Sequence, residues 1–385
     1  MSVRKRTWTT SRSERKEAWL VDYTDQNGER HIETFSRKKD ADERHAAIKV
    51  DVRQGVHTPQ GKSFTVADAA EDWIASVQLD GRERTTLAQY RQHAKLHINP
   101  RVGREKLAKL TTPRVNKFRD DLLANLSRVQ AAKVLASFKA LLKDAKRRGN
   151  VAQNAAHGVS IRIDERGKSK LKVGIDIPTP DEIRRLIHAA TEIRDRAIML
   201  TLIFTGLRSS ELRGLRWQDI NLHKAELHVR QRADRYNVIG KLKSGASERA
   251  VPLGPLVLNA LKQWKLVCPK GEAGLVFPNR SGGIDAHMMT VRNVLWPVQL
   301  AAGVVTDKGV AKYPGIHAFR HFYASWCINR KKDGGLELPI KTVQQRLGHS
   351  SILMTSDVYG HLFPRNDDGS ELAEAERMLA GLSAT

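Results

Sequence analysis

Over roughly the first sixty residues the apolar positions recur with a period of two. Ala18-Trp19-Leu20-Val21-Asp22-Tyr23 alternates as a half-buried strand does, and His31-Ile32-Glu33-Thr34-Phe35 reads as the returning strand. Asn27-Gly28 between them predicts a tight type I′ hairpin, whose two central positions need positive φ. Arg6-Thr7-Trp8-Thr9 predicts a third strand, and residues 40–52 a helix. From residue 63 the period changes to that of a helix. Val66, Ala67, Ala70, Trp73, Ile74 and Val77 fall on one face, and Leu87, Tyr90, Ala94 and Leu96 repeat the pattern. Pro113 opens a further helix, and Ser127 caps one that carries Val134, Leu135, Phe138, Leu141 and Leu142. That helix ends in a basic run, Lys143, Lys146, Arg147 and Arg148, closed by Gly149.

Periodic apolar residues give way to charge and glycine over 161–178, which reads as a linker. Thr179-Pro180-Asp181-Glu182 then starts a new helix, and residues 198–207 form a buried one leading to Arg208. Glu226-Leu227-His228-Val229 and Arg249-Ala250-Val251-Pro252-Leu253 alternate as strands, with residues 241–245 between them read as a hairpin. The rest is mainly helical. The pattern predicts a multidomain α+β chain: a three-stranded sheet with a helix (1–58), a helical bundle (63–160), the linker (161–178), and a mainly helical domain with a small antiparallel sheet (179–385). Residues 371–382 read as an amphipathic tail helix.

Charge narrows the partners. The 385 residues carry a net charge of +24 with a pI near 10.2, which favours a polyanion, nucleic acid first. Per residue the excess is greatest in 61–165, where most nonspecific phosphate contact is expected. Candidate contacts are Arg4, Lys5 and Arg6 at the N-terminus, the run Lys143, Lys146, Arg147 and Arg148, and Lys168, Lys170 and Lys172 in the linker. Two distant cysteines and no C-x-x-C pair argue against structural zinc and a disulfide framework. No apolar run approaches the ~18 residues a membrane span needs. A cytoplasmic, nucleoid-associated protein of a bacterial host is expected. Gly61-Lys62-Ser63 and Gly167-Lys168-Ser169 are not P-loops, since Val56 and Arg162 stand where the earlier glycine belongs.

Four motifs carry the chemistry: Thr205-Gly206-Leu207-Arg208-Ser209-Ser210-Glu211-Leu212, the stretch from Lys243 to Arg249, His317-Ala318-Phe319-Arg320-His321, and Leu347-Gly348-His349-Ser350 with Tyr359 ten residues beyond the histidine. Arginines suit the nonbridging oxygens of a phosphodiester, because the planar fork makes parallel bonds and keeps its charge near neutral pH. Arg208 and Arg320 are the pair. A tyrosine can attack such a phosphate and hold it in a reversible link, so Tyr359 is the candidate nucleophile, although a lone tyrosine between Val358 and Gly360 is more often a core residue. Lys243 suits protonation of a leaving hydroxyl. His317 and His349 can share protons or donate to the phosphate. Glu211, three residues after Arg208, either orients it or forms an ordinary helix ion pair.

In these motifs and their order the chain resembles the tyrosine recombinases, specifically phage-type integrases. The resemblance implies the tyrosine recombinase fold, with 1–58 an arm-site DNA-binding domain, 63–160 a core-binding domain and 179–385 the catalytic domain. It implies that Arg208, His317, Arg320 and His349 bind and activate the phosphate, with Glu211 and His321 in support. Lys243 is then the general acid and Tyr359 the nucleophile joined to the 3′-phosphate. No metal or nucleotide cofactor is implied. The expected partners are double-stranded core-type and arm-type attachment sites, a homotetramer in the synaptic complex, a directionality factor (excisionase) and a host DNA-bending protein. Residues 331–339 form a longer turn than the family's usual one, and Ser244 stands where threonine is commoner. A type IB topoisomerase, a chromosome-dimer resolvase and a catalytically dead DNA-binding protein are the competing readings. The N-terminal module argues against the first two, and the complete set of six residues against the third.

Overall fold

Alternation at the N-terminus yields three antiparallel strands, β1 (Ser2–Thr9), β2 (Arg15–Thr24) and β3 (Arg30–Phe35), with β2 central. Helix α1 (Lys38–Arg53) packs Ala41 and Ile48 against Val21 and Tyr23 of the sheet. The computed structural model describes residues 1–9, 15–26, 28–53, 63–163, 170–242, 244–363, 376–377 and 379–380. Asn27 lies outside them. Gly28 has φ 84° as expected, but β2 and β3 pair only out to Thr24 and Arg30, so the connection is longer than a two-residue turn. The cause lies in Asp25, whose backbone N–H bonds the Glu29 carbonyl and whose side chain accepts from the Glu29 N–H.

The chain divides into two compact units, residues 1–168 and 169–385. In the first, α2 (Val66–Leu79), α3 (Arg84–His93), α4 (Asn99–Val102), α5 (Thr112–Asn125) and α6 (Arg128–Arg147) surround a core that includes Trp73, Phe118, Phe138 and Leu141. Thr65 and Asp68 form a capping box at α2, and the Ser127 hydroxyl accepts from the Gln130 N–H at α6. Between α3 and α4 the helix widens into a π-turn, Ala94–Ile98. Pro100 follows one residue later, with no N–H to donate and a ring that crowds the preceding turn. Arg101 donates instead to the Leu96 and His97 carbonyls.

In the second unit Thr179 and Glu182 cap α7 (Pro180–Ala189), and α8 (Ile193–Thr205) is buried along most of its length. After α9 (Ser209–Gly214) come β4 (Ile220–Asn221) and β5 (Glu226–Val229), which form a sheet in the order β4-β5-β8, with β8 spanning Arg249–Pro252. A separate hairpin, β6 (Gln231–Ala233) and β7 (Ile239–Lys241), is inserted between β5 and β8. Its turn lies at 234–238, not at 241–245 as the sequence suggested. The Asp234 carboxylate accepts from the Tyr236 and Val238 N–H groups, and Asn237 takes φ 59°. A 3-10 turn, Gly245–Ser247, comes just ahead of β8.

Helices α10 (Pro255–Val267), α11 (His287–Thr290), α12 (Trp296–Ala301), α13 (His317–Ile328), α14 (Ile340–Leu347) and α15 (Ile352–Tyr359) complete the unit. A second π-turn, Val291–Leu295, again precedes a proline, Pro297. Residues 331–339 fold back along α13, where Leu336 and Leu338 donate to the Trp326 and Cys327 carbonyls. Most of the tail read as an amphipathic helix lies outside the described residues. Among the described residues no helix is long and apolar enough to cross a membrane.

Candidate active site

Two helix ends, each closed by a glycine, form the frame of the site. Helix α8 ends at Gly206 with φ 60°, and a Cβ there would lie 2.4 Å from the Tyr323 ring. Helix α14 ends at Gly348 with φ 64°, where a Cβ would lie 2.8 Å from the Arg249 guanidinium. Both positions need the left-handed conformation and the missing side chain. A candidate site residue follows at once in each case: Arg208 two residues after Gly206, His349 directly after Gly348.

Three arginines from distant parts of the chain meet at the end of α14. Arg249 Nε donates to the Arg346 carbonyl at 2.7 Å, Arg320 Nη2 to Leu347 at 2.5 Å and Arg208 Nη2 to Gly348 at 3.2 Å. These are three consecutive carbonyls, of the kind a helix end leaves without internal donors and with partial negative charge. Arg320 Nη1 also donates to the Gly206 carbonyl at 2.7 Å, so one guanidinium joins both helix ends. The Arg320 and Arg249 side chains are buried, whereas the Arg208 side chain keeps 32% of its surface.

Glu211 is the anion that offsets this charge. Its Oε1 accepts from Arg208 Nη1 at 2.7 Å and its Oε2 from Arg249 Nη2 at 2.8 Å. Burial alone raises its pKa, but Arg249 and then Arg208 outweigh that and hold the carboxyl down at about 2. Glu211 therefore orients Arg208 and also links it to Arg249. One carboxylate faces three guanidinium groups, which leaves an excess of positive charge suited to an anion. A cleft of about 420 Å³ opens here, lined by Arg208, Ser244, Ser247, Gly348 and Ser350 among others.

The histidines and the tyrosine complete the cluster. His349 Nδ1 lies 2.9 Å from the Thr355 hydroxyl, and the Gln344 amide donates to the His349 carbonyl. Burial first, then Arg320 and Arg208, push the His349 imidazole down to about 4. His317 is lowered by the same causes. Tyr359 at the end of α15 is 2% exposed and stacks parallel to His349, ring centroids 6.3 Å apart. Its Oη lies 2.8 Å from His321 Nδ1. Burial raises the phenol to about 12 even though Arg320 and Arg208 oppose it.

The structure thus brings together Arg208, Glu211, His317, Arg320, His321, His349 and Tyr359. Lys243 and Lys168 lie outside the described residues. Arg4 and Lys5 stand on β1 in ion pairs with Asp22 and Glu17, beside Arg6. Lys143 and Lys146 are exposed on α6, while Arg147 and Arg148 both pair with the buried Asp144. Lys170 and Lys172 are exposed. Arg249 had no role in the sequence reading, although it closes the lysine motif. Its partner carbonyls leave no mark in residue type.

Residues 178–365 match the phage integrase family. The chain carries a tyrosine recombinase domain. Such enzymes cleave and rejoin DNA. This recombinase is 26% identical over 384 residues to a XerC-like tyrosine recombinase of Caldanaerobacter subterraneus subsp. tengcongensis, a match covering 91% of the chain and 94% of that protein. It is 33% identical over 221 residues to the tyrosine recombinase XerC of Xylella fastidiosa strain M23, covering 56% of the chain and 64% of that protein. Its fold is that of solved integrases. The Tn1549 transposon integrase in complex with a circular intermediate DNA aligns with a TM-score of 0.64 at 19% identity, covering 82% of this chain and all of that one. A lambda integrase dimer bound to a core site aligns with a TM-score of 0.57 at 18% identity, covering 94% and 95%.

Proposed function

We propose that this recombinase is the integrase of a phage or other mobile element, acting on double-stranded attachment sites. The scissile phosphate binds at Arg208 and Arg320, with His317 and His349 donating to its oxygens. Guanidiniums already fixed by carbonyls and by Glu211 need little reorganisation as charge develops on the phosphate. Tyr359 attacks, its oxygen bonds to phosphorus, and the bond to the 5′-oxygen breaks, leaving a 3′-phosphotyrosine. Lys243 supplies the proton to the departing 5′-oxygen. The link keeps the bond energy, so the reverse attack by another strand's 5′-hydroxyl rejoins DNA.

In the same reading residues 1–58 hold arm-type sites, 63–160 hold the core site, 161–178 link them to the catalytic domain 179–385, and the exposed basic residues contact phosphates. A lambda integrase tetramer has been solved on a Holliday junction. That precedent supports a tetramer here, with a directionality factor and a host bending protein as further partners and the cytoplasm as its place. What carries the proposal is the convergence of Arg208 and Arg320 on one helix end beside Tyr359.

The test uses the presumed crossover site with a nick beside the scissile phosphate, which lets the cleaved fragment leave. Wild type forms a covalent adduct on a denaturing gel, and Tyr359→Phe forms none, a loss on the order of 10⁴-fold or more. An adduct in both proteins moves the nucleophile elsewhere. Tight, salt-sensitive binding without an adduct favours an accessory DNA-binding role.

A further inference from the structure

Attack by a phenol requires something to take its proton, and the roles assigned so far leave that group unnamed. Among the described residues the Tyr359 hydroxyl makes one hydrogen bond, the 2.8 Å contact with His321 Nδ1. The other imidazoles are placed differently. His349 lies parallel to the tyrosine ring with its Nδ1 at Thr355, and His317 meets His321 edge to face at 4.7 Å. We propose that His321 is the general base for Tyr359, which rests on the assignment of Tyr359 as nucleophile.

With its hydrogen on Nε2, His321 offers the Nδ1 lone pair to the phenol. As the Tyr359 oxygen bonds to phosphorus, its proton passes to Nδ1, the bond to the 5′-oxygen breaks, and the leaving oxygen takes its proton elsewhere. On rejoining, the imidazolium returns the proton to the tyrosyl oxygen. The groups facing His321 come from three elements: Tyr359 on α15, His317 and Arg320 on α13, and Asp176 ahead of α7. In the free protein burial, then His317 and Arg320, hold the imidazole down at about 4, so it is neutral and able to accept. A phosphodiester brought in beside Arg320 offsets that cationic field and raises the basicity of His321 when substrate is present. The basic partner is thus created by DNA binding.

The test is single-turnover adduct formation on a site whose bridging 5′-oxygen is sulfur. A thiolate leaves without an acid, so the rate reads nucleophile activation alone. His321→Asn, which keeps an acceptor but cannot take the proton, slows both the oxygen and the sulfur substrate roughly 100-fold or more. Its rate then climbs with pH. Lys243→Ala, by contrast, is restored by sulfur. His321→Ala regains rate with added imidazole in proportion to the free base. His321→Asn within about threefold of wild type on sulfur with the wild-type pH profile would overturn the proposal and leave a positioning hydrogen bond. If His321→Asn is misfolded, the imidazole response of His321→Ala decides: no response overturns it. An adduct from Tyr359→Phe would sink the nucleophile assignment instead, a different failure.

Discussion

The helical segment 63–163 and the recombinase centre bury different kinds of side chain. The bundle encloses Trp73, Phe118, Phe138 and Leu141, and the few polar groups among them are small or paired, such as His93 against Ser137. The centre encloses Arg320, Glu211 and His349 instead. The first is held by area removed from water and close packing. The second holds charges in a place where charge is costly, and each needs a fixed partner. The lesson is that the centre's order comes from donors and acceptors satisfied in a network, so losing one member leaves others orphaned. The bundle loses only the contacts of the residue removed.

The sharpest contrast comes from Glu211→Gln. It strands Arg208 and Arg249, and breaking a buried pair by removing one partner costs about 3–5 kcal/mol. Adduct formation falls on the order of 100-fold, because Arg208 loses its orientation. Denaturant unfolding and single-turnover cleavage check both, and wild-type cleavage would mean that the carbonyls alone hold Arg208. Phe138→Ala is next: a cost of about 3–5 kcal/mol confined to the bundle. Hydrogen exchange should show protection lost in 63–163 and kept around Arg320; loss at both would break the comparison. The smallest effect is on pH. His349 is held at about 4, against about 6.5 when unfolded. Between those values the unfolded chain binds more protons, so this contribution is complete above about pH 6.5 and is lost as pH falls toward 4. The thermal midpoint should therefore decline on acidification, less steeply in His349→Gln. An equal slope in both would remove His349 from the account.

Legibility follows the same division. The bundle's helices were readable because periodicity records burial, and Ser127 and Pro113 mark their starts. In the centre the arginines, histidines and Tyr359 were visible as motifs, and Gly206 and Gly348 stood beside them. Their anchors were not, because main-chain carbonyls are common to every residue. The hairpin turn was misplaced toward Lys243 although Asp234 and Asn237 carried its signal. The bond from His321 to Tyr359 depends on how α13 and α15 pack, which no local pattern encodes.

The end of α14 carries a consequence for how this protein can vary. Its three arginine contacts are made to backbone oxygens, so no particular side chain at 346 or 347 makes those bonds, although Leu347 is buried in the core beneath them. Length is another matter. One residue added within α14 turns its end by about 100° and advances it about 1.5 Å. Arg208, Arg249 and Arg320 would then all lose their seats together, and His349 would turn away from Tyr359. A single inserted or deleted codon in this helix therefore removes together contacts that a substitution at its exposed positions leaves in place.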